Sequence, residues 1–130
     1  MGGPGWQSMV LVMAGGALGA LIRFLCGDAL LRQFGPGFPW GTLAVNLIGA
    51  FAAGYLMVWL QSRGGQAPLL RAFLLVGVCG GLTTFSSLML EVLIFARSDR
   101  GLMVPLYLGG SLAGGLLLVW LGARLAEHMR

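Results

Sequence analysis

Four long apolar stretches, separated by short runs rich in glycine, proline and charge, set the pattern of this chain. They run from about Gln7 to Gly27, Gly41 to Leu60, Leu69 to Phe95 and Val104 to Leu125. Each is close to the roughly 20 residues that a helix needs to cross a bilayer. All five prolines (Pro4, Pro36, Pro39, Pro68 and Pro105) fall between the stretches or at their starts, where a missing N–H does no harm. Gly35-Pro36-Gly37-Phe38-Pro39 and Arg63-Gly64-Gly65-Gln66-Ala67-Pro68 therefore read as tight connections. Trp6, Trp40, Trp59 and Trp120 lie toward segment ends, as interfacial anchoring predicts. The pattern predicts an all-α integral membrane protein, residues 1–130 forming one four-helix transmembrane domain with no room for a soluble one.

The third stretch is irregular. Gly77-Val78-Cys79-Gly80-Gly81-Leu82-Thr83-Thr84-Phe85-Ser86-Ser87 holds three glycines and four hydroxyl side chains inside an apolar run. Glycine costs a helix backbone entropy, and Ser and Thr hydroxyls compete for its backbone partners. Non-helical backbone at membrane depth survives only where protein buries it or water reaches it. This stretch is expected to break the third helix near its middle and to lie on an ion pathway. Elsewhere, small residues recur at helix-packing spacing: Gly15 and Gly19, Ala50 and Gly54, Gly77 and Gly81, Gly110 and Gly114. In lipid such pairs let backbones approach closely, and plain packing is the reading for each.

Composition strengthens the membrane assignment. Hydrophobic residues make up 58% of the chain and charged residues 9%, too few to coat a soluble surface. The net charge of +4 comes from eight arginines spread among segment ends, which argues against a nucleic-acid face. Four spans would place Arg63, Arg71, Arg124 and Arg130 on one side, and Arg32, Arg97, Arg100 and Arg23 on the other. A positive charge bias orients membrane proteins, and this chain has none. Insertion both ways up is expected, which permits an antiparallel dimer about an axis in the membrane plane. The N-terminus has no positive n-region, so no cleavable signal peptide is expected. Cys26 and Cys79 have no metal-ligand spacing and read as small packing residues.

Few polar side chains lie within the spans. Arg23 reads first as snorkelling to the headgroups, with positive charge at a pore mouth as the alternative. Asn46 offers a donor and an acceptor, for an interhelical bond or for a passing anion. Glu91 follows the irregular stretch by one to two helical turns, and Arg97 is a possible partner. No histidine, paired acids or metal cluster falls within a span, so binding or conduction is expected rather than catalysis.

Three ordered motifs carry a resemblance. They are Gly15-Gly16-x-x-Gly19-Ala20-x-x-Arg23-Phe24, then Gly41-Thr42-Leu43-x-Val45-Asn46-x-x-Gly49-x-Phe51-x-x-Gly54, then Gly77-x-Cys79-Gly80-Gly81-Leu82-Thr83-Thr84-Phe85-Ser86-Ser87. Together they resemble the Fluc (CrcB) fluoride-channel family. The resemblance implies an antiparallel, dual-topology homodimer in the cell inner membrane that exports cytoplasmic fluoride passively. It implies two pathways at the subunit interface and a structural sodium ion at the dimer centre. By the same resemblance, Gly80 and Thr83 offer backbone carbonyls to sodium, Asn46 lines the pore and Arg23 its vestibule. Phe85 turns a ring edge toward fluoride, and Thr84, Ser87 and Glu91 form a polar track along the third helix. Tyr107 and Ser111 are the polar residues of the fourth span.

Two positions depart from the family pattern. Leu88 stands where a second phenylalanine is usual, and Gly115 where a second fourth-span serine is usual. Because some members pair unlike subunits that divide such features, a heterodimer stays open. A small multidrug-resistance transporter is the nearest alternative, but it needs a carboxylate within the first span. A non-conducting structural subunit is the other, and it makes every polar residue a packing contact.

Overall fold

The computed structural model describes residues 2–130, and its described residues are helical or in short turns. Helix α1 spans Trp6–Phe34 and α2 spans Trp40–Leu60. The third span is composite. A 3-10 turn at Gly64–Gln66 leads into α3 (Ala67–Leu70), then a π-helical segment (Arg71–Cys79), then the single turn α4 (Gly80–Leu82). After two extended residues the chain resumes as α5 (Phe85–Ala96), and α6 covers Met103–His128. Four helical runs (Trp6–Phe34, Trp40–Leu60, Gly64–Ala96 and Met103–His128) are long and apolar enough to cross a membrane.

Large apolar side chains such as Leu21, Phe24, Ile48, Ile94 and Leu116 point outward along these helices, and few are buried. That is the arrangement of a helix group whose solvent is hydrocarbon. Where lipid is as apolar as leucine, burying leucine gains nothing, and close backbone packing must hold the helices instead. Helix α1 lies against the π-helical segment and α4, while α2 lies against α6. A Cβ added at Gly77 would come 2.8 Å from the Cα of Gly15, and one at Gly81 would come 3.0 Å from the amide of Ala20. On the other pair, a Cβ at Gly54 would meet the backbone of Val119, and one at Gly122 the backbone of Phe51 and Tyr55. The Gly110–Gly114 pair does no such work. A Cβ at Gly110 would meet nothing, and one at Gly114 only the side chain of Leu47. Gly122, outside that pair, makes the backbone approach in α6.

The break in the third span is much shorter than the eleven-residue stretch Gly77–Ser87 in which it was expected. Only Thr83 (φ −87°, ψ 154°) and Thr84 (φ −147°, ψ 123°) leave the helix. Both angles are ordinary extended backbone, so the break itself stores no strain. Gly77 and Gly81 stay helical, and the packing read for that pair is what they do: they are the close approach to α1. The upstream helix widens to π geometry, and the amide of Gly80 still bonds to the carbonyl of Leu75. Such bulges are rare and cluster at functional sites.

Helix α1 runs past its expected end, which brings Asp28 and Arg32 onto it as an exposed i,i+4 ion pair at 2.9 Å. At the same end, the Gly35–Pro39 connection turns on Gly35 (φ +76°), and its Phe38 packs against Trp40, Phe95 and Tyr107. Leu88, Phe95 and Tyr107 form the small buried cluster that joins α5 to α6.

Candidate functional site

The two extended residues leave backbone groups that a helix would have paired, and two other helices, α1 and α2, come in to pair them. Thr83 turns its amide (3.0 Å) and its hydroxyl (2.9 Å) back onto the carbonyl of Cys79. Thr84 is bonded twice by Asn46 of α2. The Thr84 amide donates to Asn46 Oδ1 at 2.7 Å, and Asn46 Nδ2 donates to the Thr84 carbonyl at 3.0 Å. From α1, Arg23 Nε donates to the carbonyl of Gly81 at 3.1 Å. The Thr84 hydroxyl then accepts from the Ser87 amide at 3.1 Å and caps the restarted helix. A Thr at that position satisfies an orphan amide at a helix start.

The Gly80 carbonyl gains nothing from these repairs. The amide that would extend the helix onto the Gly80 carbonyl is that of Thr84, and Thr84 gives it to Asn46. A helix end leaves acceptors of this kind.

Two grooves flank the break, and Thr84 lines both. One, about 450 Å³, is walled by Asn46, Cys79, Gly80, Thr83, Thr84, Phe85 and Ser111, with Leu88 and Gly115 along its margin. Here the structure gathers six of the residues singled out from sequence. Phe85, in the wall of this groove, is 72% exposed. The hydroxyl oxygen of Ser111 is buried and has no hydrogen-bond partner. The second groove, about 460 Å³, holds Arg23, Thr42, Thr84 and Ser87.

Arg23 therefore points to the break rather than snorkelling to the headgroups. Its Nε bonds the helix end preceding Thr83, because that carbonyl lacks an intrahelical partner while a guanidinium carries spare donors. Asn46 likewise makes the interhelical bond, spending one donor and one acceptor on Thr84.

Glu91 and Tyr107 sit together, away from Asn46. Tyr107 donates to Glu91 Oε2 at 2.6 Å, and Thr42 donates to Glu91 Oε1 at 2.5 Å. Among the described residues no arginine lies within ion-pairing distance of Glu91, so the pairing with Arg97 considered from sequence does not form. The reason is geometric: Arg97 ends α5 at the surface, whereas Glu91 faces α2 and α6. Leu88 is buried against Phe95 and Tyr107. Thr42 is the residue that sequence reasoning passed over. It stood inside the second motif, and its spacing of four from Asn46 puts both on one helix face.

Comparison with known proteins agrees with this architecture. The model of the family described as CrcB-like protein, Camphor Resistance (CrcB), matches residues 10–123. The fluoride-specific ion channel FluC of Xylella fastidiosa (strain 9a5c) is 62% identical over 124 residues, covering 95% of this chain and 87% of that one. The protein of the same name from Xanthomonas euvesicatoria pv. vesicatoria (strain 85-10) is 57% identical over 124 residues, covering 95% and 93%. That from Rhizobium meliloti (strain 1021) is 39% identical over 121 residues, covering 93% and 97%. With four apolar spans, a third span broken between two threonines and this extent of identity, the chain is a multi-pass membrane protein of the CrcB/FluC fluoride-channel family, a family of channels and not of enzymes.

Proposed function

We propose that this chain conducts fluoride passively across the membrane, as an antiparallel, dual-topology homodimer with two pathways at its interface. The observation that carries the reading is the open groove at the break. Asn46, Thr83, Thr84 and Ser111 line it at the middle of the third span, and the Ser111 hydroxyl behind its wall is unpartnered. Hydrocarbon cannot satisfy such groups, so protein or water must cover them. A second copy of the chain, placed the other way up, covers the groove with the same groove. The balanced arginines, four against four, allow both orientations.

In this reading fluoride exchanges its water for fixed donors. Ser111 has a free hydroxyl to give, and Asn46 keeps one N–H beyond the one bonded to Thr84. Phe85 presents a ring whose edge is electropositive. Leu88 is committed to the α5–α6 core, so Phe85 supplies the aromatic edge without a second phenylalanine. Arg23 holds positive charge beside Ser87 in the adjoining groove and raises the local anion concentration.

The donors at the break suit a sodium ion. Among the described residues no cluster of His, Cys, Asp or Glu could hold a metal, so the ligands would be backbone oxygens. The Gly80 carbonyl has lost its helical partner, and a Cβ at Gly80 would meet only the carbonyl of Leu75 at 4.0 Å, so the position is uncrowded. Carbonyl oxygens are hard ligands for a hard cation. Gly80 and Thr83 of each copy would hold the ion, which would neutralise carbonyl dipoles and tie the two copies together.

The test is reconstitution of the purified chain, alone, into liposomes with a fluoride electrode. Fluoride is expected to leave rapidly once potassium permeability is supplied, and chloride is not. Absence of fluoride efflux from purified dimer would sink the reading. Flux that appears only on adding a paralogous chain would replace the homodimer with a heterodimer.

A further inference from the structure

We propose that Arg100 forms a second positive mouth of the conduction route, at the opposite end of the polar track from Arg23. The inference rests on the anion conduction proposed above. Three cavities lie in series between the two arginines, each sharing wall residues with the next. The groove that holds Arg23 and Ser87 has Thr42 in its wall. A cleft of about 180 Å³ shares Gly27, Gly41 and Thr42 with that groove and reaches Glu91. A further cavity of about 300 Å³ shares Phe38, Pro39 and Glu91 with the cleft, and its rim is formed by Gly37, Ser98 and Arg100. Those three rim residues are exposed, whereas Glu91 at the base is half-buried. The series that begins at Arg23 passes Glu91 and ends at Arg100.

The guanidinium is held in place there. It lies 5.1 Å from the centroid of the Phe95 ring, and its Nη1 donates to the carbonyl of Gly37. The Arg100 amide donates to the Ser98 hydroxyl at 3.2 Å, fixing the turn from which the side chain springs. One of five guanidinium N–H groups is spent on Gly37, which leaves donors for an ion at the rim.

Charge explains the need for it. Glu91 places a carboxylate beside the route, and both of its oxygens accept from neutral hydroxyls, those of Thr42 and Tyr107. Neither bond cancels its charge. An anion approaching from this end meets that field unless a cation on the same cavity offsets it. Arg97 and Asp99 precede Arg100 closely in the chain, and neither lines the cavity. Arg100 is the cation that does.

The experiment compares fluoride efflux from the reconstituted full chain, R100Q, R100K and R97Q. It is run at low ionic strength, on the order of 10 mM, and again at high, where the Debye length drops below about 10 Å. R100Q is expected to slow efflux at least about threefold at low salt, with the difference shrinking to under about twofold at high salt. R100K and R97Q are expected to match the unmodified chain. Equal rates for R100Q and the unmodified chain at low salt would overturn the proposal while leaving fluoride conduction standing. So would a slowing that is the same at both salts, which is the mark of a latch on the Gly35–Pro39 connection, or an equal effect from R97Q. Absence of flux from the unmodified chain would instead remove conduction itself, and this mouth with it. Should R100Q not assemble, R100C on folded dimer serves. A cationic thiol reagent is expected to speed efflux and an anionic one to slow it, relative to the unmodified chain given the same reagents. Identical effects of the two reagents would overturn the charge role.

Discussion

Asn46 and Thr84, 38 residues apart, bind each other as two amides do in a strand ladder, with bonds of 2.7 and 3.0 Å running in opposite directions. The side chain of one helix thereby completes the backbone of a broken one. A break at membrane depth is permitted where protein meets its polar groups, and Asn46 meets both backbone groups of Thr84.

Replacing Asn46 separates support from conduction. N46A leaves the Thr84 amide and carbonyl unpaired, each lost partner being worth about 1–3 kcal/mol. Stability of the protein in a detergent titration is expected to fall by about 2 kcal/mol or more. N46D keeps the acceptor for Thr84 N–H and adds negative charge to the groove. It is expected to retain more stability than N46A while losing about tenfold or more of the fluoride efflux. Equal stability losses in N46A and N46D would mean that the Thr84 amide bond contributes little.

Gly81 tests the packing role assigned to the glycines. A Cβ there would press on the Gly16 carbonyl and the Ala20 amide, both rigid backbone. G81A is expected to destabilise the subunit by about 1–3 kcal/mol, as overpacking does. G109A, where an added Cβ meets nothing within the subunit, is the control and is expected to stay within about 0.5 kcal/mol. Unfolding in mixed micelles measures both, and an unaffected G81A would refute the close approach to α1.

The Thr42–Glu91–Tyr107 network predicts coupling. Both hydroxyls donate to the one carboxylate, at 2.5 and 2.6 Å. Y107F removes a hydrogen bond to a charged group at a site only 3% exposed, with an expected loss of about 1.5–3 kcal/mol. In the background of E91Q the same change is expected to cost less, giving an interaction energy of about 0.5–3 kcal/mol in a double-mutant cycle. Strict additivity of Y107F and E91Q would deny the network.

Sodium dependence checks the carbonyl site. Protein purified and reconstituted throughout with a large organic cation in place of sodium is expected to lose most of its fluoride efflux. Undiminished efflux would leave the Gly80 and Thr83 carbonyls without a cation to hold.

Orientation has its own measurement. With Cys26 and Cys79 replaced, a single cysteine at R130C is expected to react with impermeant reagent from both sides of the membrane, in comparable amounts. Labelling from one side alone would exclude dual insertion.

Much of this protein was legible in its sequence, for a physical reason. Crossing a bilayer requires about 20 apolar residues per span, and that requirement is local in the chain. The four helices, the prolines at their starts and the near absence of charge follow from it. A polar stretch inside an apolar span is equally local, which is why Thr83, Thr84 and their neighbours stood out.

What only the tertiary structure decided is who meets whom. Gly77 and Gly81 read from sequence both as part of the break and as a packing pair, and the packed helices keep only the second role, as the face that admits Gly15 and Gly16 of α1. The chain leaves the helix at Thr83 and Thr84 because Asn46 and Arg23, from two other helices, take over the backbone groups that the helix releases. Thr42 was one polar residue among several until α5 and α6 brought Glu91 and Tyr107 to it. Hydropathy is a property of each residue and survives in one dimension. A hydrogen bond across 38 or 49 positions of chain has no one-dimensional signature, and it exists only once the helices pack.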